Sequence, residues 1–200
     1  MPSTPTLYLA LIPLAYLLGS VPTGIVVSKA FGKADPRTAG SRNVGATNVG
    51  RTSGKAAGIL TLVGDIIKGA LPAYIALIVG PDPRFVSLVA LAAFIGHLFP
   101  IYLRFRGGKG VATACGVMLV ISPIATLLSG AVFLIVVLIK RYVSLGSMAA
   151  SASLPVFLSF IRGGKPYVPM GVIISVLIIL KHTDNIKRLA AGKENKICGK

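Results

Sequence analysis

The chain reads as an all-α polytopic membrane protein with seven transmembrane helices, its N-terminus outside and its C-terminus in the cytosol. Three observations predict this. Hydrophobic residues make up 54% of the 200 residues against 13% charged, and the mean hydropathy is +0.82, far from soluble averages. The apolar residues gather into seven runs, and a helical crossing needs about 20 such residues. With the N-terminus outside, 17 of the 21 Lys and Arg fall in inner connections and three in outer ones, as the positive-inside rule requires.

The first run, 7–30, follows Met1-Pro2-Ser3-Thr4-Pro5-Thr6, which lacks the basic flank of a cleavable signal peptide. It is therefore expected to be retained as a helix. The second, 54–80, carries Asp65 and Lys68 at i,i+3, a spacing that favours a mutual ion pair facing the bundle interior. The third, 84–103, holds His97, expected in an interhelical hydrogen bond. The fourth, 110–121, is short, and Pro123 divides it from the fifth, 123–141. The sixth, 147–161, and seventh, 167–181, are also short and are divided by Gly163, Gly164 and Pro166. Short segments of this kind tilt, thin the bilayer or line a cavity. A five-span reading, with 110–141 bent and 147–161 interfacial, keeps the same sidedness with less satisfactory lengths. No internal repeat divides the chain, so a single membrane domain over residues 1–200 is expected.

The net charge of +16 would suggest nucleic acid in a soluble protein. Here the cations sit in short loops beside anionic lipid, and no basic stripe is interleaved with aromatics as RNA or DNA binding would require. Cys115 lies in an apolar run and Cys198 in the polar tail, which argues against a disulfide, and neither has metal-ligand spacing.

Three polar clusters fall on the cytosolic side of this topology. Ser41 to Arg51 combines hydroxyls, amides and fixed charge: Ser41, Asn43, Thr47 and Asn48 with Arg42 and Arg51, while Gly45 and Gly50 leave the backbone free to turn and expose N–H groups. Its Gly45-x4-Gly50-Arg51-Thr52 spacing imitates a P-loop but lacks the preceding strand and Mg²⁺ carboxylates, so nucleotide hydrolysis is rejected. Gly107-Gly108-Lys109-Gly110 leads into a helix start, where free N–H groups and a point charge suit an anion. Lys181 to Arg188 includes His182 and Asn185, which share a face if the last helix continues through them. Each cation taken alone also reads as a plain inner-face anchor, and a lone histidine as a helix-end group. Ser144 and Ser147 lie on another inner connection.

The five acidic residues are too scattered for a Mg²⁺ or two-metal site, no G-x-S-x-G elbow is present, and no His is followed five residues later by Asp. No metal and no cofactor are expected. Such a site suits substrates that bring their own charge and a good leaving group.

Taken together, the motifs resemble the bacterial PlsY family of acyl-phosphate-dependent glycerol-3-phosphate acyltransferases. The resemblance covers essentially the whole chain. It rests on Gly19-Ser20-x-Pro22-x-Gly24, Ser41-x-Asn43-x-Gly45-Ala46-Thr47-Asn48-x-x-Arg51 and Asp65-x-x-Lys68-Gly69. It continues through Gly96-His97, Gly107-Gly108-Lys109-Gly110-x-Ala112 and Lys181-His182-x-x-Asn185-Ile186-x-Arg188. The resemblance implies transfer of a fatty acyl group from acyl phosphate to the 1-hydroxyl of glycerol 3-phosphate, giving lysophosphatidate and phosphate. It implies catalytic roles for Ser41, Arg51, Lys109, His182 and Asn185. Substrate contacts are expected from Asn43, Gly45, Thr47, Asn48, Gly107, Gly108, Gly110 and Ser147. The expected setting is the bacterial inner membrane, with membrane lipid and an upstream acyl-phosphate-producing enzyme as partners. A transporter or flippase for a phosphorylated lipid or metabolite is the alternative, since it too needs inner-face anion clusters.

Overall fold

The computed structural model describes residues 4–197, with side chains described from residue 10 onward. Cys198 and the first three residues lie outside that range. Among the described residues all regular structure is helical: α1 (Thr4–Gly19), α2 (Thr23–Ala30), α3 (Ala46–Ser53), α4 (Lys55–Val79), α5 (Pro83–Leu98), α6 (Val111–Ile121), α7 (Pro123–Lys140), α8 (Val143–Phe160), α9 (Val168–Lys181) and α10 (Thr183–Ala190). Short 3₁₀ turns occupy Ile101–Leu103 and Lys165–Tyr167.

The expectation of seven spans becomes a coarser count. Among the described residues four helices are long and apolar enough to cross a membrane, and up to six spans result if each of two bent pairs counts as one. The run 7–30 breaks into α1 and α2 with a bend of 44°. Pro22 is the reason: it lacks an N–H and disfavours helical geometry at Val21. The final apolar run likewise bends by 56° between α9 and α10, so the helix does not continue straight through His182. The sixth run is longer than its sequence edges indicated, because α8 begins at Val143 and reaches 18 residues. The fourth stays short: α6 has 11 residues, a rise of about 16 Å against a hydrocarbon core of about 30 Å.

The chain clusters into two compact units, one ending at Val120 and the other beginning at Ile121. In the first, α5 packs on α1 and α4, while α2 and α3 lie against α4. Its interior is built from small and branched side chains, among them Ala57, Ala73, Ala76, Val86, Val89, Ala90 and Ala93, with Phe94 and Leu98 filling the remainder. Small residues let apolar helices approach closely where lipid offers no hydrophobic gradient. The α4–α5 turn ends in a capped helix start: Asp82 accepts from the backbone N–H groups of Arg84 and Phe85, and Pro83 occupies the first turn.

In the second unit α8 packs between α7 and α9, and α10 touches α9. Pro123 starts α7, and Arg141 ends it in left-handed geometry at φ 61°. Leu138 and Phe160 are 77% and 85% exposed, the surface of a lipid-facing rather than a water-facing bundle.

Candidate functional site

The segment Ser41 to Arg51 is half loop and half helix. Its C-terminal part forms α3, and this corrects the reading of Gly45 and Gly50 as turning residues with exposed N–H groups. Gly45 caps the helix in extended geometry at φ −79°, and its N–H donates to Asn43 Oδ1 at 2.8 Å. Gly50 sits inside α3 at its crossing with α4. A Cβ on Gly58 of α4 would lie 2.7 Å from Gly50 Cα, so the two backbones touch there.

Helical spacing sorts the remaining residues. Thr47 and Arg51, at i,i+4, share the exposed face of α3, while Asn48, Val49 and Ser53 are buried. Ser53 Oγ lies 3.0 Å from Ser28 Oγ of α2, tying those helices together. Ser41, Arg42, Thr47 and Arg51 are all exposed, in positions open to a ligand.

Asn48, expected to contact substrate, has its amide committed to the backbone. It is 2% exposed, its Oδ1 accepts from Ser41 N at 2.8 Å, and its Nδ2 donates to Pro36 O at 2.8 Å, Ala39 O at 3.3 Å and Asn43 O at 2.9 Å. It therefore shapes the loop that carries Ser41. Asn43 spends its Oδ1 locally on the Gly45 turn. Upstream, Arg37 clasps Asp35 at 2.6 Å, and this hydrogen-bonded guanidinium holds the Asp35 carboxyl below its ordinary range.

The glycines of Gly107-Gly108-Lys109-Gly110 answer first to packing. A Cβ on Gly108 would lie 2.2 Å from His97 Nε2, and one on Gly107 would lie 2.1 Å from His97 O. Gly108 N donates to His97 O at 3.1 Å, and Gly110 adopts φ +83° just before α6 begins at Val111. Lys109 is half-buried and is the only residue of the four with a side chain.

Asp65 and Lys68 form the expected ion pair, at 2.8 Å and almost fully buried. Lys68 also donates to Val21 O at 2.8 Å, taking up a carbonyl that the Pro22 break leaves without a helical partner. His97 completes the cluster, with Nδ1 3.6 Å from Asp65 Oδ1.

In the second unit His182 stands at the α9–α10 junction, 2% exposed, with Nδ1 2.8 Å from Ile178 O. A carbonyl only accepts, so Nδ1 carries a proton and donates it to Ile178 O. Asn185 Nδ2 donates to Glu194 Oε1 at 2.6 Å, Ser144 Oγ donates to the same oxygen at 2.7 Å, and Arg188 Nε meets Oε2 at 2.7 Å. Ser147 is buried and donates to Val143 O of its own helix at 2.9 Å.

Glu194 is the residue that sequence reasoning passed over. The signal was present: it is the only acid in a tail containing Lys193, Lys196 and Lys200. Burial raises its pKa, but the hydrogen bonds from Ser144, Asn185 and Arg188 outweigh that and hold the carboxyl below 4.5. A carboxyl lowered by folding contributes stability that is present above 4.5 and lost as pH falls through its lower folded value. The tail is thus expected to stay clasped at neutral pH and to release in acid. Exchange at the Ile197 amide, which donates to Arg141 O at 2.7 Å, should rise roughly tenfold on acidification once intrinsic exchange is corrected for. Glu194→Gln should remove most of that pH dependence.

Among the described residues, no group of three His, Cys, Asp or Glu side chains is placed to hold a metal ion.

Comparison with known proteins adds three findings. A sequence profile for the family described as glycerol-3-phosphate acyltransferase matches residues 9–192. The chain is 49% identical over 183 residues to a glycerol-3-phosphate acyltransferase of Syntrophotalea carbinolica, covering 91% of this chain and 93% of that one. For the protein of the same name from Geobacter sulfurreducens the identity is 46% over 188 residues, covering 94% and 96%. Crystal structures of PlsY (YgiH), an integral membrane glycerol 3-phosphate acyltransferase, match over 95% of each chain. The glycerol 3-phosphate form gives a TM-score of 0.90 at 43% identity, and the lysophosphatidic acid form 0.86 at 41%.

Proposed function

The chain belongs to the glycerol-3-phosphate acyltransferase family, and from that membership we propose that it transfers a fatty acyl group to the 1-hydroxyl of glycerol 3-phosphate, giving lysophosphatidate. One observation carries this reading. The match is unbroken across both units, and it extends to solved relatives in a glycerol 3-phosphate form and a lysophosphatidic acid form, the acceptor and product of such a transfer. The same continuity supports treating the two units as one membrane domain.

The donor is acyl phosphate. Its carbonyl is already activated as a mixed anhydride, which suits a chain with few carboxylates and without a serine nucleophile elbow. The glycerol 3-phosphate hydroxyl oxygen attacks that carbonyl, the bond to phosphate breaks, and inorganic phosphate leaves. The protein's work is to neutralise phosphate, align the hydroxyl and stabilise the oxyanion. In the first unit Arg51 and Lys109 supply positive charge and Ser41 helps position glycerol phosphate, with Thr47 beside Arg51 on the exposed face of α3. In the second, Asn185 orients glycerol phosphate, and His182 hydrogen-bonds the substrate. The chain is taken to have seven segments, and the inner-loop bias of Lys and Arg supports an N-terminus outside, a C-terminus inside and chemistry on the cytosolic face of a bacterial inner membrane.

Purified protein tests this with palmitoyl phosphate and glycerol 3-phosphate, following lysophosphatidate and phosphate. Acyl-CoA and acyl carrier protein thioesters serve as comparison donors. Activity with thioesters alone would overturn the donor assignment, and vesicle flux without chemistry would favour a transporter.

The proton leaves with the donor's own phosphate, so no side chain is an obligatory base. His182→Gln is then expected to lower the single-turnover rate by about tenfold or less, whereas general-base catalysis contributes about 10²–10⁴. A loss of several orders of magnitude with substrate binding intact would make His182 the base.

A further inference from the structure

The buried cluster of the first unit contains more than an ion pair requires. Lys68 already pairs with Asp65 Oδ1 at 2.8 Å and donates to Val21 O. A third ionisable side chain, His97, is nevertheless packed beside them at 5% exposure, although polar groups among membrane-spanning helices carry a cost. The orientation of its ring is informative. Nδ1 faces Asp65 Oδ1 at 3.6 Å, while the opposite nitrogen, Nε2, abuts Gly108 so closely that a Cβ there would lie 2.2 Å away. The His97 carbonyl accepts from Gly108 N at 3.1 Å, and the same carbonyl leaves no room for a side chain on Gly107. Both the ring and the main chain of His97 therefore bear on the loop whose one side chain is Lys109.

From this we propose that His97 is a positioning residue for Lys109: Asp65 orients the imidazole, and the far edge of the ring sets the path of Gly107–Gly110. The assignment of phosphate charge to Lys109 rests on the proposed function above; the positioning of the loop does not. A loop of glycines has no packing side chains of its own with which to hold a lysine in place. His97 supplies the rigid edge, and the Asp65–Lys68 pair anchors that edge to α4.

Two near-isosteric variants separate this role from ordinary core packing. Asn reproduces the Nδ1 side of histidine, keeping a donor toward Asp65 but vacating the space beside Gly108. Gln reaches the Nε2 position. His97→Asn is expected to raise KM for glycerol 3-phosphate or acyl phosphate about tenfold with kcat changed less than about threefold, while His97→Gln stays within about threefold of wild type in both. In a Lys109→Gln background, His97→Asn should add little further, because the two changes act on one interaction.

Amide exchange over residues 104–112, measured on the same detergent-solubilised proteins, provides a readout independent of turnover. It should quicken in His97→Asn and remain near wild type in His97→Gln. If wild-type protein forms no lysophosphatidate, the functional reading fails while the exchange result still decides the positioning role. The proposal is overturned if His97→Asn keeps wild-type exchange in that segment, or if Asn restores the loop as well as Gln does. Should His97→Asn not fold, Asp65→Asn releases the ring from its other side and should quicken exchange in the same segment; unchanged exchange there would equally overturn the proposal.

Discussion

Replacing Lys68 with methionine is expected to destabilise the protein by about 3–5 kcal/mol, the usual cost of leaving one member of a buried ion pair without its partner. Asp65 and Lys68 are 2% and 6% exposed, and once the ammonium is gone the carboxylate keeps only His97, whose Nδ1 lies at the longer distance of 3.6 Å. The methionine fills the volume, so the loss is electrostatic. Val21 O also loses one of its donors at the α1–α2 break, keeping the Thr23 N–H at 2.9 Å. The double variant Asp65→Asn with Lys68→Met should recover most of the loss, because no uncompensated charge then remains. Thermal unfolding in one detergent, comparing wild type, single and double variants, measures both. If the single substitution costs less than about 1 kcal/mol, the pair is not the anchor inferred from its burial.

Asn48→Ala is expected to cost about 3 kcal/mol, since removing the amide strands the Ser41 N–H and the carbonyls of Pro36 and Asn43 in a partly buried loop at roughly 1 kcal/mol or more each, while Ala39 O keeps the Arg42 N–H. Four backbone contacts, to Ser41, Pro36, Ala39 and Asn43, depend on this one side chain. Asn48→Asp should fare no better. Its carboxylate still accepts from Ser41 N but sets negative charge against three carbonyl oxygens. Limited proteolysis within residues 31–45, together with thermal unfolding, detects the loosened loop. A direct substrate contact would give a different pattern: a raised KM with unchanged unfolding and unchanged proteolysis.

The Asp65–Lys68 pair and Asn48 are legible in the sequence to different degrees, for a physical reason. Asp65 and Lys68 lie at i,i+3 on one helix, so helical periodicity alone brings them together, and the low dielectric around them favours pairing. Asn48 reaches residues five to twelve positions away across a loop of no regular period, and residue type alone marked it as a ligand group. Glycine permits turns, so sequence alone assigns Gly50 to one. Its actual use, a close crossing with Gly58, depends on which helix folds back against it.

Composition, hydropathy and the distribution of Lys and Arg were enough to establish a helical membrane protein, and the ordered motifs were enough to place it in its family. Those signals are local or additive: each apolar run favours lipid by its own transfer energy, and each motif keeps its spacing along the chain. Tertiary structure alone decided that Pro22 splits the first run with Lys68 capping the break, that Asn48 organises a loop, that the ring of His97 presses on Gly108, and that Glu194 returns to Ser144, Asn185 and Arg188. Each of these unites residues distant along the chain, and hydrogen bonds and backbone contacts of that kind act over about 3 Å between groups whose separation only the fold determines.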